Sequence, residues 1–516
     1  MRFLLVLLLT VMEFSSGLSN YTSVNLNLLL NSSKYYVDNL FVSMSMPHMN
    51  VRWRQMPYDH GGFRNLCKAL APTSIRAYFN PLFYKGKWVP EVTNVTTSTL
   101  QDVTVEIWER FYDFMKYIGW DLSIDFTNTH RTVTGRWDDR NAKAFLDYAS
   151  KNEIPIPDFQ LGNEPQNYRD RINYQPAPQL VQDYKDLQNL LKKYPMYSKS
   201  TLVGPETTTS TSPVFFKPFM AAGGCDVVDE IAFHQYYRSL YQKPTYADFL
   251  NITVMNWLNN HLHSLKSQIK SLGCDKPSRL SETSSIAGGL PGVADRFVAG
   301  FLWLDKLGLA ALHGITRVYR FHLWGKSYSL FGGFVLAYPD YYLTLLFKRL
   351  VHGPVLNVSS DVLQVRAYAN CVRPQEKYRI GAVVIYLLNT LEYPIKINIE
   401  QFSRHKVDVY WFTSAGNALI SQYVKVNDVL MNSSGNQPTT FTPRNIDADD
   451  ITMPGHSFGF IVIPEARSSV CTSNLSPVLI LKTAASTNEA SLNLQGLETS
   501  FLSLFMLMFA HTRFTY

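Results

Sequence analysis

The stretch Asp158-Phe-Gln-Leu-Gly-Asn-Glu-Pro165 decides the fold. It opens as a short apolar run and stops on adjacent Asn and Glu side chains, where an extended segment ends and a loop begins. Downstream, Leu180 to Tyr194 sets Val181, Tyr184, Leu187, Leu190 and Leu191 at helical spacing. One strand followed by one amphipathic helix is a unit, and the chain repeats it. Strand-like runs near Val37 to Met46, Ser74 to Phe79, Asp121 to Phe126, Phe159 to Leu161, Leu202 to Gly204, Ile231 to Tyr237, Arg279 to Ser281 and Arg317 to Leu323 make eight. A further helix, Val293 to Leu312, carries a Phe297, Phe301, Leu304 and Leu307 stripe. Eight β-then-α units over about 320 residues predict an α/β fold, a closed (β/α)8 TIM barrel with its reactive groups at the C-terminal strand ends.

A second strand-end glutamate follows in Ser278-Arg-Leu-Ser-Glu-Thr-Ser284. Glu164 and Glu282 would thus face one another over the same barrel mouth. One carboxylic acid and one carboxylate across a sugar are the minimal machinery of glycosidic bond cleavage. Glu164 must hold a proton to give to the leaving oxygen, and apolar neighbours plus the charge of Glu282 are expected to favour that. Glu282 must stay ionised to attack the anomeric carbon. Asn163 reads either as a donor to a sugar hydroxyl or as a turn-capping side chain. His234 reads as a substrate contact, and Tyr236, on the same strand face, reads as a hydroxyl holding the nucleophile or as a barrel-core aromatic. Arg131, after the third strand, reads as an orienting cation or as an ordinary surface arginine. Tyr328, in the loop after the eighth strand, is placed to contact the sugar. No metal motif is expected, since His261 and His263 are two apart on a helix and face different directions; no cofactor is expected either.

Past Val355 the pattern changes to alternating short strands, as in Val362-Leu-Gln-Val-Arg-Ala-Tyr368, Ala382-Val-Val-Ile-Tyr-Leu-Leu388, Val407-Asp-Val-Tyr-Trp-Phe412 and Phe458-Gly-Phe-Ile-Val-Ile463. This predicts a C-terminal β-sandwich attached to the barrel. The expected division is a signal peptide over 1–17, a barrel over 18–354 whose first residues join the sandwich in one reading, a sandwich over 355–473, and a tail of little order over 474–516.

Arg2, the apolar run Phe3 to Val11 and the small residues Ser15 to Gly17 have the layout of a cleaved secretory signal. Seven Asn-x-Ser/Thr acceptors, at Asn20, Asn31, Asn94, Asn251, Asn357, Asn432 and Asn474, agree with passage through the secretory pathway. A secreted, extracellular protein is expected, with lysosomal passage as a variant, and a monomer. In the tail, the apolar run Phe501 to Phe509 is too short to span a bilayer. A polar spacer before it fits a lipid-anchor signal, which Arg513 weakens.

The formal net charge of +7 favours an anionic partner. No Lys/Arg run is dense enough for a nucleic-acid patch, so nucleic acid is excluded and sulfated or carboxylated glycans fit better. Of five cysteines, Cys225 and Cys274 precede the Glu230 to Tyr237 and Arg279 to Glu282 strands; if those strands are neighbours, the two thiols enter at one end and can pair. Cys67 shares a helical face with Phe63, Leu66 and Leu70 and reads as a small buried apolar residue.

The segments Gln160-Leu-Gly-Asn-Glu-Pro165, His234-Gln-Tyr-Tyr237, Glu282-Thr-Ser-Ser285, Ala299-Gly-Phe-Leu-Trp-Leu-Asp-Lys-Leu-Gly-Leu309 and Pro339-Asp-Tyr-Tyr-Leu-Thr-Leu-Leu-Phe-Lys-Arg-Leu350 together resemble the heparanase family of endo-β-glucuronidases, from about Tyr36 to Cys471. The resemblance implies a (β/α)8 barrel with a β-sandwich, Glu164 as acid/base, Glu282 as the nucleophile of a retaining mechanism, and a disulfide between Cys371 and Cys471. It implies a glycosaminoglycan substrate, heparan sulfate first and hyaluronan as in related invertebrate enzymes.

Departures from the family pattern leave a second reading open. The family's Arg-Phe-Gly-Gly-Thr run is Arg76-Ala-Tyr-Phe-Asn80 here, losing the close backbone approach that glycine permits. The strand-one aspartate is replaced near Met46-Pro47, and the Gln and Arg after strand five give way to Thr207-Thr-Thr-Ser-Thr-Ser212. Fewer guanidinium forks mean weaker sulfate recognition. The alternatives are a less sulfated substrate or an inactive relative that binds glycan or a cell-surface partner. Asn80 to Glu106 leaves little room for the family's excised linker, so activity as a single chain is expected.

Overall fold

The computed structural model describes residues 22–473, apart from 32–33, 48–50, 82, 85–86, 89–101, 166–174, 210–211 and 417. The expected signal and tail lie outside the described residues.

Strands Val42–Ser45, Thr73–Pro81, Trp120–Phe126, Asp158–Leu161, Thr201–Thr207, Glu230–Ser239, Ser278–Ala287 and Ile315–Phe321 are the first to eighth staves of a barrel. Each pairs in parallel with the next, and the eighth closes on the first through Val318↔Val42 to Phe321↔Ser45. Parallel strands wrapped by helices are buried on both faces, which is why they read as continuous apolar runs rather than as alternation. The apolar run expected over Val37 to Met46 is two elements. Tyr36–Val37 pairs with Gly353 and Pro354, whereas Val42–Ser45 enters the barrel. Between them Asp38 Oδ1 accepts from the Leu40 amide at 2.9 Å, an Asx turn that ends one strand and re-aims the next.

The second sheet is built around the antiparallel strands Val351–Ser360, Val365–Val372, Val383–Asn389, Ser457–Ile463 and Lys406–Ser414. Thr22–Leu29 belongs to it too. Leu26–Leu29 pairs antiparallel with Asn357–Ser360, and Thr22–Asn25 parallel with Ile395–Asn398, so this strand crosses from one layer to the other. The sandwich takes the N-terminal strand Thr22–Leu29, the reading in which the first residues of 18–354 join it, and begins again at Val351.

Period-two alternation assigns the two sides of the sheet. Val383, Ile385 and Leu387 fill the sandwich interior with Val24, Ile397, Trp411 and Ile461. Val384, Tyr386 and Leu388, one residue out of phase, join the barrel core with Phe458 and Phe460. The barrel helix Ala299–Leu312 lies against this outer face and is buried all round. Two glycines let it approach: a Cβ on Gly300 would sit 2.2 Å from the Phe458 ring, and one on Gly308 2.2 Å from the Tyr368 ring.

Cys225 bonds Cys274 and Cys371 bonds Cys471, while Cys67 is a buried thiol. No described helix is long and apolar enough to cross a membrane.

Candidate active site

Seven consecutive staves each place a polar or charged side chain at the C-terminal mouth or just beneath it. Gly162 (φ 83°) ends the fourth strand with its N–H on the Phe126 carbonyl at 2.8 Å, and Glu164 follows in the left-handed region (φ 50°), its amide donating to the Glu206 carbonyl at 3.0 Å. A non-glycine residue there is uncommon, and strand five holds it in place. Oxygens of Glu164 and Glu282 and a nitrogen of His234 all lie within 4.8 Å of one another. Both carboxylate side chains keep some exposure, 24% for Glu164 and 14% for Glu282.

Arg76 wires the site from below. Its Nε donates to Gln160 Oε1 (2.7 Å), Nη1 to Ser45 (3.3 Å) and Glu282 Oε2 (3.2 Å), and Nη2 to Asp125 Oδ2 (2.6 Å) and Asn163 Oδ1 (2.8 Å). All five guanidinium donors are engaged, and the group is 1% exposed. The Tyr236 hydroxyl donates to the other oxygen of Glu282 at 2.8 Å. Glu282 thus accepts on both sides, the bonding pattern of a carboxylate. Asn163 is half-buried and turns its carbonyl to Arg76.

His234 lies between two carboxylates, its Nδ1 3.0 Å from Glu164 Oε1 and its Nε2 3.0 Å from Glu206 Oε2. Burial disfavours its charge, but Glu282, Glu164 and Glu206 outweigh that and raise it to about 10, so it is an imidazolium. Burial likewise works against ionised Glu206, and Arg76 with His234 reverses this and holds Glu206 below the usual range; Ser281 donates to the same carboxylate at 2.5 Å. Asp125 goes the other way: burial first, with Glu206 adding, lifts it to about 8 in spite of Arg76.

Three sequence readings change here. His234, read as a substrate contact, is 0% exposed and acts on Glu164 instead. Arg131 does not reach Glu282; its guanidinium forks onto the buried Asp183 at 2.8 and 2.7 Å, tying the loop after strand three to the helix Ala177–Leu191. Glu164, expected among apolar neighbours, faces the His234 cation. Tyr328 is 8% exposed, packs on Phe321 with ring centroids 5.5 Å apart, and lies in the field of Glu282, which together with burial raises its hydroxyl to about 12. After strand five, Thr209 turns its hydroxyl inward. Thr209 Oγ accepts from the Tyr236 amide (3.0 Å) and donates to the His234 carbonyl (3.1 Å). Sequence reasoning missed Arg76, Asp125 and Glu206 as site residues. The available signal was a charged residue inside each of three apolar barrel strands, since a buried charge demands a partner.

Among the described residues, Glu164, His234 and Glu282 are the one group with metal-ligand spacing, but both nitrogens of His234 are taken by carboxylates.

Residues 120–308 match the family model "Glycosyl hydrolase family 79, N-terminal domain". The chain is 30% identical to heparanase of Gallus gallus over 392 residues, 73% of each chain. The chain belongs to the heparanase family. It is accordingly a glycoside hydrolase, and the glutamate pair at the barrel mouth is its candidate catalytic pair. Hyaluronoglucuronidase of Hirudo nipponia is 31% identical over 66% of this chain and 71% of its own. Inactive heparanase-2 of Mus musculus is 28% identical over 72% and 66%.

Proposed function

We propose that this family member is a secreted, retaining endo-β-glucuronidase that cuts glycosaminoglycan chains at a uronic acid. The observation that carries the reading is that one carboxylate oxygen of Glu164 and one of Glu282 lie within 4.8 Å of each other. Retaining enzymes hold their carboxyl groups about 5–5.5 Å apart, whereas inverting ones leave about 6.5–9.5 Å for a water.

In the first step Glu164 gives its proton to the glycosidic oxygen while Glu282, aimed by Tyr236 and Arg76, attacks the anomeric carbon. A glycosyl ester on Glu282 forms, and the shortened chain departs with the proton. The Glu164 carboxylate left behind is met by the His234 imidazolium. In the second step Glu164 takes a proton from water, the hydroxide oxygen bonds to the anomeric carbon, and Glu282 leaves as a carboxylate. A protonated Glu164 works against the His234 cation 3.0 Å away, which favours the carboxylate; with Asp125 protonated as well, the cations Arg76 and His234 balance Glu206 and Glu282.

The heparanase and hyaluronoglucuronidase relatives support a uronide polymer, heparan sulfate first and hyaluronan second. The absence of Arg and Lys from the run Thr207-Thr-Thr-Ser-Thr-Ser212 after strand five favours low sulfation near the cut. It also supports the second reading, a glycan binder without turnover, of which the family's inactive member is the example. Asn31, Asn251, Asn357 and Asn432 are exposed, as glycosylation during passage through the secretory pathway requires; Asn20, Asn94 and Asn474 lie outside the described residues.

The test is to incubate the protein with heparan sulfate, hyaluronan and chondroitin, size the products, and follow the anomer first released by proton NMR. Shorter chains with a β-anomer are expected. An α-anomer would overturn the retaining mechanism. Binding without cleavage, and without a covalent adduct from a glucuronide-configured mechanism-based inhibitor, would replace the enzyme with the binder.

A further inference from the structure

At the opposite end of the barrel from the glutamates lies a cavity of about 680 Å³. Ser278, the first residue of strand seven, and Gly314, just before strand eight, form its inner wall. Glu282 is four residues along strand seven, about 13 Å away at 3.3 Å per residue, and opens to the other face. The helix Ile252–Ser271 presents His263, Lys266, Ser267 and Lys270 to the cavity at i, i+3, i+4 and i+7 spacing. Lys34 and Lys276 complete the rim, and Asp275 is the one carboxylate among the lining residues.

Four ammonium groups face one acid, and among the described residues none of the four forms an ion pair with a carboxylate. Two of them act on Tyr35, Lys34 and Lys266 lying 5.2 and 4.9 Å from its ring centre. Burial would raise its hydroxyl, yet Lys266 and Lys34 bring it below the usual value. Lysines at a helix C-terminus ordinarily serve the helix dipole. Lys34 and Lys276 are outside that helix, so the dipole does not account for them. Lys266 has a structural duty: its Nζ donates to the His313 carbonyl and lies 4.9 Å from the Tyr35 ring centre. Lys34, Lys270 and Lys276 are exposed, Lys34 beside the Tyr35 ring. A volume of this size matches a saccharide unit or two and exceeds what a lone oxyanion needs.

We infer that this cavity is a second, non-catalytic site that anchors a sulfated or carboxylated saccharide segment. The identity of the polymer rests on the proposed function; the anionic chemistry does not. A chain held at both barrel ends would gain effective concentration at the cleft, an advantage open to long polymers and closed to short substrates.

The experiment uses the full protein carrying Glu282→Gln, which binds without cutting, and a heparin-derived decasaccharide. Hydrogen exchange is expected to show protection of residues 263–278 on adding the sugar. Lys34→Gln/Lys270→Gln/Lys276→Gln should remove that protection and weaken the anchoring event by at least about tenfold with a shallower salt dependence. A control with the same charge change at exposed positions, Lys192→Gln/Lys193→Gln/Lys199→Gln, should do neither. With Glu282 intact, the anchoring variant should hydrolyse a small aryl glucuronide at the parental rate. Absence of protection, or equal loss in the control, would overturn the site. Equal protection by an oligodeoxynucleotide of matched charge, or displacement by millimolar inorganic sulfate, would overturn its assignment to a saccharide. Protection in the Glu282→Gln protein together with no glycan cleavage by the parent that keeps Glu282 would sink the proposed catalysis and leave the anchoring site standing.

Discussion

Five donors on one guanidinium set the geometry of the catalytic pair, because Arg76 holds Glu282, Asp125, Asn163, Gln160 and Ser45 at once. A lysine offers three donors from a single point and cannot span these acceptors. Arg76→Lys should therefore lower kcat by roughly 100-fold with KM little changed, measured on an aryl glucuronide. The two glutamates should separate by leaving group. Glu282→Gln should cost at least about four orders of magnitude on every substrate, since no bond forms without the nucleophile. Glu164→Gln should cost about 10²–10⁴ on a polymer but far less on an activated phenol, which departs with little protonation. Equal losses on both substrates would exchange or refute the roles. The glutamates, Asn163 and Tyr236 were legible in the sequence because each lies at or just past the end of an apolar run. Arg76, Asp125 and Glu206 were not, because a charge inside an apolar strand gains its meaning from the neighbouring strands, and those pairings are long-range. Arg131 misled for the same reason. It follows strand three in sequence, but its partner Asp183 is on the helix after strand four.

The eight strand–helix units were readable one at a time, because a stave buried on both faces announces itself as an apolar run. The N-terminal strand Thr22–Leu29 was harder: its partners lie more than 300 residues away, at Asn357–Ser360 and Ile395–Asn398. Helix packing was partly legible, since Gly300 and Gly308 stand eight apart in an otherwise apolar helix, but the rings they accommodate come from the second sheet. Gly308→Val should press into Tyr368 and lower stability by about 1–3 kcal/mol, read as a reduced denaturant midpoint with an unchanged slope. A neutral result would mean that the sheet does not lie on this helix. The Arg131–Asp183 fork gives an opposite contrast between stability and activity. Asp183 is 0% exposed, so Arg131→Ala leaves a buried acid without its cation and should cost roughly 3 kcal/mol. Activity at low temperature should stay within about twofold, because the fork does not touch the catalytic pair; a large fall in kcat alone would restore Arg131 to the site.

At the scale of the whole molecule, the buried charges beneath the cleft tie stability to pH. His234 is raised from 6.5 to about 10, so between those values the folded chain holds a proton that the unfolded chain has released. Its contribution is complete below about 6.5 and is lost as pH rises through 10. Asp125 is raised from 3.8 to about 8, so it too binds its proton more tightly when folded, and stability falls as pH climbs across that window. Glu206 is held below its usual value of 4.5, so its contribution is present above 4.5 and constant from pH 5 upward. The two raised groups therefore act in one direction: the fold should be most stable in mild acid, and each titrating group should remove at most about 1.4 kcal/mol per pH unit. Thermal unfolding at pH 5, 7 and 9 should show a steady fall in Tm. Asp125→Asn keeps an acceptor for Arg76 but cannot titrate, so its Tm should change less between pH 5 and 7 than the parent's, while the fall between 7 and 9 that belongs to His234 persists. Parallel curves for parent and variant across the whole range would show that Asp125 is already ionised in the fold, and the charge balance drawn for the resting site would then lack its second proton.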